Sequence, residues 1–351
     1  MTTTMPEPAR RARTGLPILV LVLITPLLAE LAWGSTPLQY LYAFPIFVLM
    51  YGTGTLLVRE LVRRTGRGWP SILLLGLAYG IIEEGVVLQS FFSPQIYEAP
   101  DWGARFFGVN LVYAITISIY HMIFSVALPI QLTELFFPAT RHVPYLRTRG
   151  LILTIAGFVL GLAAVRFTVP PSIDPGFNAS PTALAGCAIV IAGLALLALR
   201  ILPPRADSTV PGARTPAPFS VAMIAAALTI PAIFLPATAM GILLDPIRST
   251  SDVVFVATAL VVPTATVIVA LALIRRWTRS RDWSDLHRTA LVTGAFVAHT
   301  LVGMTYFVKG DPVALVFLSI CAVAELTLGI VLYRVVARRA TIPEDARHVK
   351  A

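Results

Sequence analysis

Apolar segments long enough to cross a lipid bilayer recur along the whole chain. Of its 351 residues, 57% are hydrophobic and 13% are charged, and the mean hydropathy is +0.81. A membrane-spanning helix needs about 20 apolar residues. Segments of this kind occupy positions 16–33, 38–58, 70–92, 106–137, 151–169, 183–202, 219–244, 252–274, 289–308 and 312–333. We therefore predict an all-α fold, a polytopic transmembrane helix bundle of about ten spans in the cell membrane.

The basic residues are distributed unequally between the two ends of these spans. If the N-terminus is cytoplasmic, the outer loops hold only a few of the 27 Lys and Arg residues, namely Arg105, Arg166, Arg248 and Lys309. Lys and Arg accumulate in cytoplasmic loops, so we predict that both termini are cytoplasmic. The net charge of +9 indicates contact with the anionic headgroups of the lipid bilayer. Because the charges are scattered through short loops, we predict no binding of nucleic acid.

A stretch rich in proline, PPRADSTVPGARTPAP, divides the apolar segments into two groups. Its composition is typical of an extended or flexible linker. The predicted organisation is a cytoplasmic basic segment at 1–15, a first bundle of about six spans at 16–202, a cytoplasmic linker at 203–218, a second bundle of about four spans at 219–335 and a cytoplasmic tail at 336–351.

Two adjacent acids, Glu83 and Glu84, lie inside the apolar segment SILLLGLAYGIIEEGVVLQSFF. A charge at the bilayer centre costs about 2.5–3.5 kcal/mol on insertion scales, so such acids face a protein interior or a wet cavity and mark functional sites. Gly76, Gly80 and Glu84 recur every four residues, so a neighbouring backbone can approach closely beside the acid. The structural alternative is a protonated carboxyl in a dry packing seam.

Two of the five histidines, His121 and His299, also lie inside predicted spans. His121 shares a helix face with Ser118 and Ser125. Imidazole binds metals and transfers protons near neutral pH, so we expect the third, fourth and ninth spans to meet around the acidic pair. Two histidines with one or two glutamates are an adequate ligand set for a catalytic zinc ion that keeps one position for water.

The segment AYGIIEEGVVLQSFF, followed by His121 and later by His299, resembles the CPBP intramembrane peptidases, the group of CAAX-processing and bacteriocin-immunity proteins. That family carries EExxxR on one membrane helix, FxxxH on a following helix and a further histidine. The resemblance implies that Glu83, Glu84 and His121 are catalytic, and that His121, His299 and Glu84 hold a metal. Leu88 stands where the motif has arginine.

Two other classes of function fit the same residues. In a proton-coupled transporter or permease, Glu83, Glu84, His121 and Glu325 relay protons or bind a cationic substrate. In a nonenzymatic membrane scaffold, the bundle organises other membrane components. The substrate is accordingly a membrane peptide in the first hypothesis and a small molecule in the second. Convergence of acids and imidazoles at one point favours a metal or hydrolytic site, whereas their dispersion along a cavity favours transport.

The predicted topology is testable with reporter fusions. A reporter fused after Arg63 or after Arg279 should be active only in its cytoplasmic form, because both arginines belong to the predicted inner loops. A fusion after Lys309, in a predicted outer loop, is the matched control and should give an extracytoplasmic signal. An extracytoplasmic signal at Arg63 or Arg279 would overturn the orientation.

Overall fold

The computed structural model describes residues 14–96, 105–205, 210, 214–239 and 253–341. Ten helices account for most of these residues. In chain order they are α1 (Gly15–Leu31), α2 (Leu38–Arg64), α3 (Trp69–Val87), α4 (Leu111–Phe136), α5 (Thr148–Ile173), α6 (Pro181–Ile201), α7 (Pro218–Ala239), α8 (Val253–Trp277), α9 (Asp285–Phe307) and α10 (Pro312–Thr341). The prediction of an all-α bundle is confirmed, and each predicted apolar segment overlaps one of these helices, although positions 240–244 and 252 of the predicted segments lie outside the described residues.

Eight of the described helices are at least 18 residues long and apolar enough to cross a membrane. The two shorter apolar helices are α1 and the Pro218–Ile233 part of α7. The protein is therefore a multi-pass membrane protein with eight candidate spans in its described part. The cytoplasmic location of its termini stays a prediction. Residues 1–13 and 342–351 of the predicted cytoplasmic segments lie outside the described residues, and α10 continues to Thr341, past the predicted start of the tail at 336.

The fourth predicted span begins later in the structure than in the sequence analysis. Strands β1 (Arg105–Phe106) and β2 (Val109–Asn110) form an antiparallel hairpin where we predicted the first helical residues. Phe107 and Gly108 close it with φ values of 49° and 80°, the left-handed pair that a tight two-residue hairpin requires. Asn110 then ends the hairpin and begins α4, because its side chain accepts a hydrogen bond from the Tyr113 amide at 3.1 Å.

Helix α4 is the most buried of the eight candidate spans. It packs against α3 on one side and against α7, α8 and α9 on others. Residues of α4 therefore reach both groups of helices that the sequence analysis separated, and the division into two bundles with a linker at 203–218 stays a prediction. The central position of α4 matters because this helix carries His121.

Glycines allow α3 and α4 to approach closely, as the spacing of Gly76 and Gly80 predicted. A Cβ atom on Gly76 would lie 3.0 Å from the Cα atom of Met122. A Cβ atom on Gly80 would lie 3.0 Å from the Cα atom of Ser118 and 3.1 Å from the Cβ atom of His121. The helix that carries the acidic pair is thus in backbone contact with the helix that carries the imidazole.

Buried ion pairs join α2 to α4 at the end of the bundle away from the hairpin. Arg59 Nε lies 3.1 Å and Arg63 Nη2 lies 2.7 Å from Glu134 Oε1. Arg59 also donates to the carbonyl oxygens of Thr140 and Val143. Because both carboxylate oxygens of Glu134 are hydrogen-bonded to guanidinium groups, this acid within a predicted span has a structural explanation.

Substitution of Gly80 tests the α3–α4 contact. Gly80→Ala should lower the free energy of unfolding by about 1–3 kcal/mol, because the new methyl group meets the Ser118 backbone, which cannot rotate away. Thermal unfolding of the purified protein in detergent measures the effect. Gly186→Ala in α6 is the matched control, since nothing lies within 4 Å of a Cβ there. An equal effect at both glycines would contradict close packing at Gly80.

Candidate functional site

Four π-helical segments in α1–α4 carry the polar groups of one buried cluster. They are Leu27–Leu31 with Glu30, Val48–Gly52 with Tyr51, Ile81–Val87 with Glu83 and Glu84, and His121–Ala127 with His121. A π turn inserts a residue into an α-helix and is frequent at functional sites. The helices thus depart from regular geometry at the same point of the bundle, where these side chains meet.

The acidic pair converges on His121. The Nε2 atom of His121 lies 3.1 Å from Glu84 Oε1, and its Nδ1 atom lies 3.4 Å from Glu83 Oε2. All three residues are buried, and one ligand atom from each lies within 4.8 Å of the others. Ser125 Oγ is 2.9 Å from His121 Nδ1 and so orients the ring. This group has the donor atoms and spacing to hold a metal ion, or to transfer a proton.

Donors from α4 and from the turn after α3 fix Glu84. Its Oε2 atom accepts a hydrogen bond from the hydroxyl of Tyr113 at 2.9 Å and another from the hydroxyl of Ser90. Ser90 comes into range because Gln89 adopts a left-handed φ of 56°, which turns the chain back at the end of α3. The Gln89 side chain secures this uncommon conformation by accepting from the Ala179 amide at 2.8 Å.

Tyr51 bridges two carboxyl groups. Its hydroxyl lies 2.5 Å from Glu30 Oε1 and is also hydrogen-bonded to Glu83 Oε1. Tyr51 therefore links Glu30 and Glu83 through its hydroxyl.

Glu30 extends the buried cluster toward the surface. Its Oε2 atom accepts hydrogen bonds from Ser35 at 2.6 Å and from Thr36 at 2.8 Å, and Ser35 is exposed. A continuous set of hydrogen-bonded groups thus leads from exposed Ser35 through Glu30 and Tyr51 to Glu83. Such a chain has the composition of a proton path.

His299 lies outside the group formed by Glu83, Glu84 and His121, contrary to its predicted role as a ligand beside His121. Its ring stacks between Trp33, at a centroid distance of 4.7 Å, and Phe124, at 4.4 Å. Tyr120 donates to the Ala29 carbonyl at 2.7 Å, so the 3.0 Å contact between Tyr120 and His299 is donated by Nε2 of His299. The surroundings of this histidine are therefore two aromatic rings and the hydroxyl group of one tyrosine.

The ninth span therefore meets the fourth, but not at the acidic pair. Glu325, the remaining member of the predicted proton relay, lies on α10 and accepts a hydrogen bond from Thr300 at 2.9 Å. It does not belong to the group of potential metal ligands in the described residues. The structure brings Glu83, Glu84 and His121 together and leaves His299 and Glu325 elsewhere.

The sequence analysis missed the tyrosines of the cluster. The apolar pattern does not distinguish Tyr51 or Tyr113 from other residues of their spans, and Glu30 lies near the end of the predicted segment 16–33. A signal was available, because a phenol in a membrane span needs a hydrogen-bond partner. Of the two serines expected on the face of His121, Ser125 contacts the ring, whereas Ser118 donates to the Ala114 carbonyl of its own helix at 2.6 Å.

The helices and their buried acid–imidazole cluster define a polytopic α-helical membrane protein, embedded in the lipid bilayer. The model of an uncharacterized membrane protein family matches residues 19–233, more than half of the chain, and the protein belongs to that family. The match includes Glu30, Tyr51, the acidic pair and His121. Searches of curated proteins and of solved structures found no match.

Removal of the Tyr51 hydroxyl tests the bridge. Tyr51→Phe should lower the free energy of unfolding by about 1–3 kcal/mol, because it leaves buried Glu83 and half-buried Glu30 without their shared partner. Glu30→Gln breaks the same bridge, so the double variant should lose less than the sum of the two single losses. Unfolding in detergent gives these values.

Tyr42→Phe is the matched control for Tyr51→Phe, since Tyr42 is 78% exposed. Additive losses in the double variant would show that the hydroxyl does not couple the two acids.

Proposed function

We propose that this protein is an intramembrane metal-dependent hydrolase that acts on a membrane-embedded peptide. The observation that carries the proposal is the convergence of Glu83, Glu84 and His121 within 4.8 Å, on two helices in backbone contact. Catalytic zinc sites combine protein ligands with an open position for water, and here Glu84 and His121 would hold the ion while Glu83 would act on that water. Convergence at one point also distinguishes the cluster from acids dispersed along a channel.

The residues present fit a divalent cation. Glu83 Oε2 is buried and has no hydrogen-bond partner among the described residues, although buried polar atoms are nearly always paired. Carboxylate oxygen and imidazole nitrogen are both ligands of zinc. Two carboxylates would neutralise the charge of a divalent ion, which favours binding in a low-dielectric bundle. When bound, the ion supplies Lewis-acid polarisation and makes water a stronger acid.

The surrounding side chains have distinct roles in this proposal. Ser125 accepts from Nδ1 of His121 and fixes the ring, as the outer partner of a metal-binding histidine usually does. Tyr113 and Ser90 hold Glu84 through Oε2 and leave Oε1 toward His121. Glu83 acts as the general base that removes a proton from water. The same carboxyl returns that proton to the amide nitrogen as the peptide bond breaks, and Tyr51 holds Glu83 in place through its hydroxyl.

The resemblance to the CPBP intramembrane peptidases supports the same reaction class. Glu83 and Glu84 match the acidic pair of that family, and His121 matches its first histidine. The motif arginine is absent at Leu88, but Arg166 of α5 donates to the adjacent Val87 carbonyl at 3.3 Å. A cation from another helix therefore lies beside the position that the motif gives to arginine.

One observation favours a second candidate function, proton-coupled transport. The hydrogen-bonded path from Ser35 through Glu30 and Tyr51 to Glu83 would load protons onto the centre without any metal. In that function Glu83, Glu84 and His121 relay protons, and Glu325 would be a second, separate proton-binding group on α10. The two functions differ in whether the centre retains a metal.

Conservative substitutions separate these functions. For a hydrolase, the protein purified with zinc should retain about one zinc per chain, and Glu84→Gln and His121→Gln should each reduce zinc content by about 10-fold or more. Glu83→Gln should abolish cleavage of a membrane peptide, because an amide cannot accept the proton. Elemental analysis and a peptide-cleavage assay in proteoliposomes measure these effects, and melting temperatures check the fold.

Glu325→Gln is the matched control, an acid within a span that lies outside the cluster, and its zinc content should equal that of the wild type. A different result would favour the transporter. In that case the protein retains no zinc, and Glu83→Gln, Glu84→Gln, His121→Gln and Glu325→Gln each abolish pH-dependent uptake into vesicles. If every variant fully complements a deletion strain, both the hydrolase and the transporter are excluded, and only the scaffold hypothesis remains.

A further inference from the structure

A cavity lined by arginines lies where the linker region meets the end of α8. It has a volume of about 340 Å³ and is lined by Val210, Ala272, Arg275, Arg276 and Arg279. The Val210 amide donates to the Arg279 carbonyl at 2.9 Å, which fixes one wall of the cavity against the helix. The cavity is remote in sequence from the acid–imidazole cluster and plays no part in the proposed hydrolysis.

The three guanidinium groups of this cavity have no carboxylate partner among the described residues. Arg275, Arg276 and Arg279 are exposed, and none forms an ion pair with a carboxylate in the part of the chain that the structure describes. The contrast is Arg59, whose guanidinium pairs with Glu134. Three like charges around one cavity repel one another and are stabilised by a bound anion, for which guanidinium groups are the preferred phosphate ligands.

Apolar surface continues from this cavity along the same helix. Ile268 is 62% exposed, Val269 is 48% exposed and Leu271 is 37% exposed. They lie one to two turns before Arg275 on a helix apolar enough to span a membrane. A ligand that fits this surface has a negatively charged head and apolar tails, which is the structure of an anionic phospholipid.

We propose that Arg275, Arg276 and Arg279 form a binding site for the phosphate headgroup of an anionic phospholipid. The acyl chains lie along Ile268 and Val269, and the headgroup occupies the cavity. Because Val210 belongs to the stretch that joins α6 to α7, and Thr215 of the same stretch donates to the Trp277 carbonyl at 3.4 Å, a bound lipid would also hold this connection against α8.

Native mass spectrometry of the full chain in detergent tests the site with phosphatidylglycerol as the probe and phosphatidylcholine as the neutral comparison. The triple variant Arg275→Gln, Arg276→Gln, Arg279→Gln should bind phosphatidylglycerol about 100-fold more weakly than the wild type. The matched control replaces Arg147, Arg149 and Arg338 by Gln. These arginines are also exposed, and their side chains have no hydrogen bond or ion pair in the described residues. The control should retain wild-type affinity although its net charge changes equally.

Equal losses in the two triple variants would overturn the proposal, since they would show a general effect of net charge. Equal binding of phosphatidylcholine would overturn it as well. Inorganic phosphate that displaces the lipid at equimolar concentration would assign the cavity to a soluble anion and overturn the lipid assignment. If the triple variant fails to fold, the single variant Arg276→Gln tests the site. Its affinity for phosphatidylglycerol should fall about fivefold, whereas that of Arg149→Gln should not change.

Discussion

Carboxyl groups buried in an apolar bundle need polar partners, and this requirement organises the first four helices. An unpaired charge at membrane depth is costly, and lipid offers no hydrogen bonds in exchange. Glu134 meets the requirement with two guanidinium groups from α2. Glu83 and Glu84 meet it with an imidazole, phenols and a serine hydroxyl. The buried acid at one end of the bundle is thus paired with charged guanidinium groups. The acidic pair is instead paired with groups that can both donate and accept hydrogen bonds.

These two solutions differ in what they allow chemically. Around Glu134, each carboxylate oxygen accepts from a guanidinium group that stays charged at any physiological pH, so no proton moves. Around Glu83, the partners are Tyr51 and His121, which both donate and accept. Glu83 Oε2 forms no hydrogen bond in the described chain and lies 3.4 Å from His121 Nδ1.

The sequence predicts the helices well because length and hydropathy are sufficient to define a membrane span. It also predicts that Glu83, Glu84 and His121 meet, since acids and imidazoles in lipid have few other partners. The same reasoning is wrong for His299, because its ring lies between two aromatic rings and its Nε2 atom contacts the phenol of Tyr120 without any acid. Tyr51 was not predicted, because its role depends on two carboxyl groups far apart in sequence, Glu30 and Glu83.

The π-helical segments of α1–α4 lie where the side chains of the cluster meet, at the expense of regular helix hydrogen bonds. A π turn weakens the regular hydrogen bonding of a helix and persists where another interaction compensates for it. In α1–α4 each such segment carries a member of the cluster. In contrast, the π segment Leu197–Ile201 ends α6 and carries no member of the cluster. Packing alone does not require these four π-helical segments, since α5 and α9 pack in the same bundle as regular helices. The helices thus depart from regular geometry at the point where the side chains of the cluster meet, which is consistent with the proposed site.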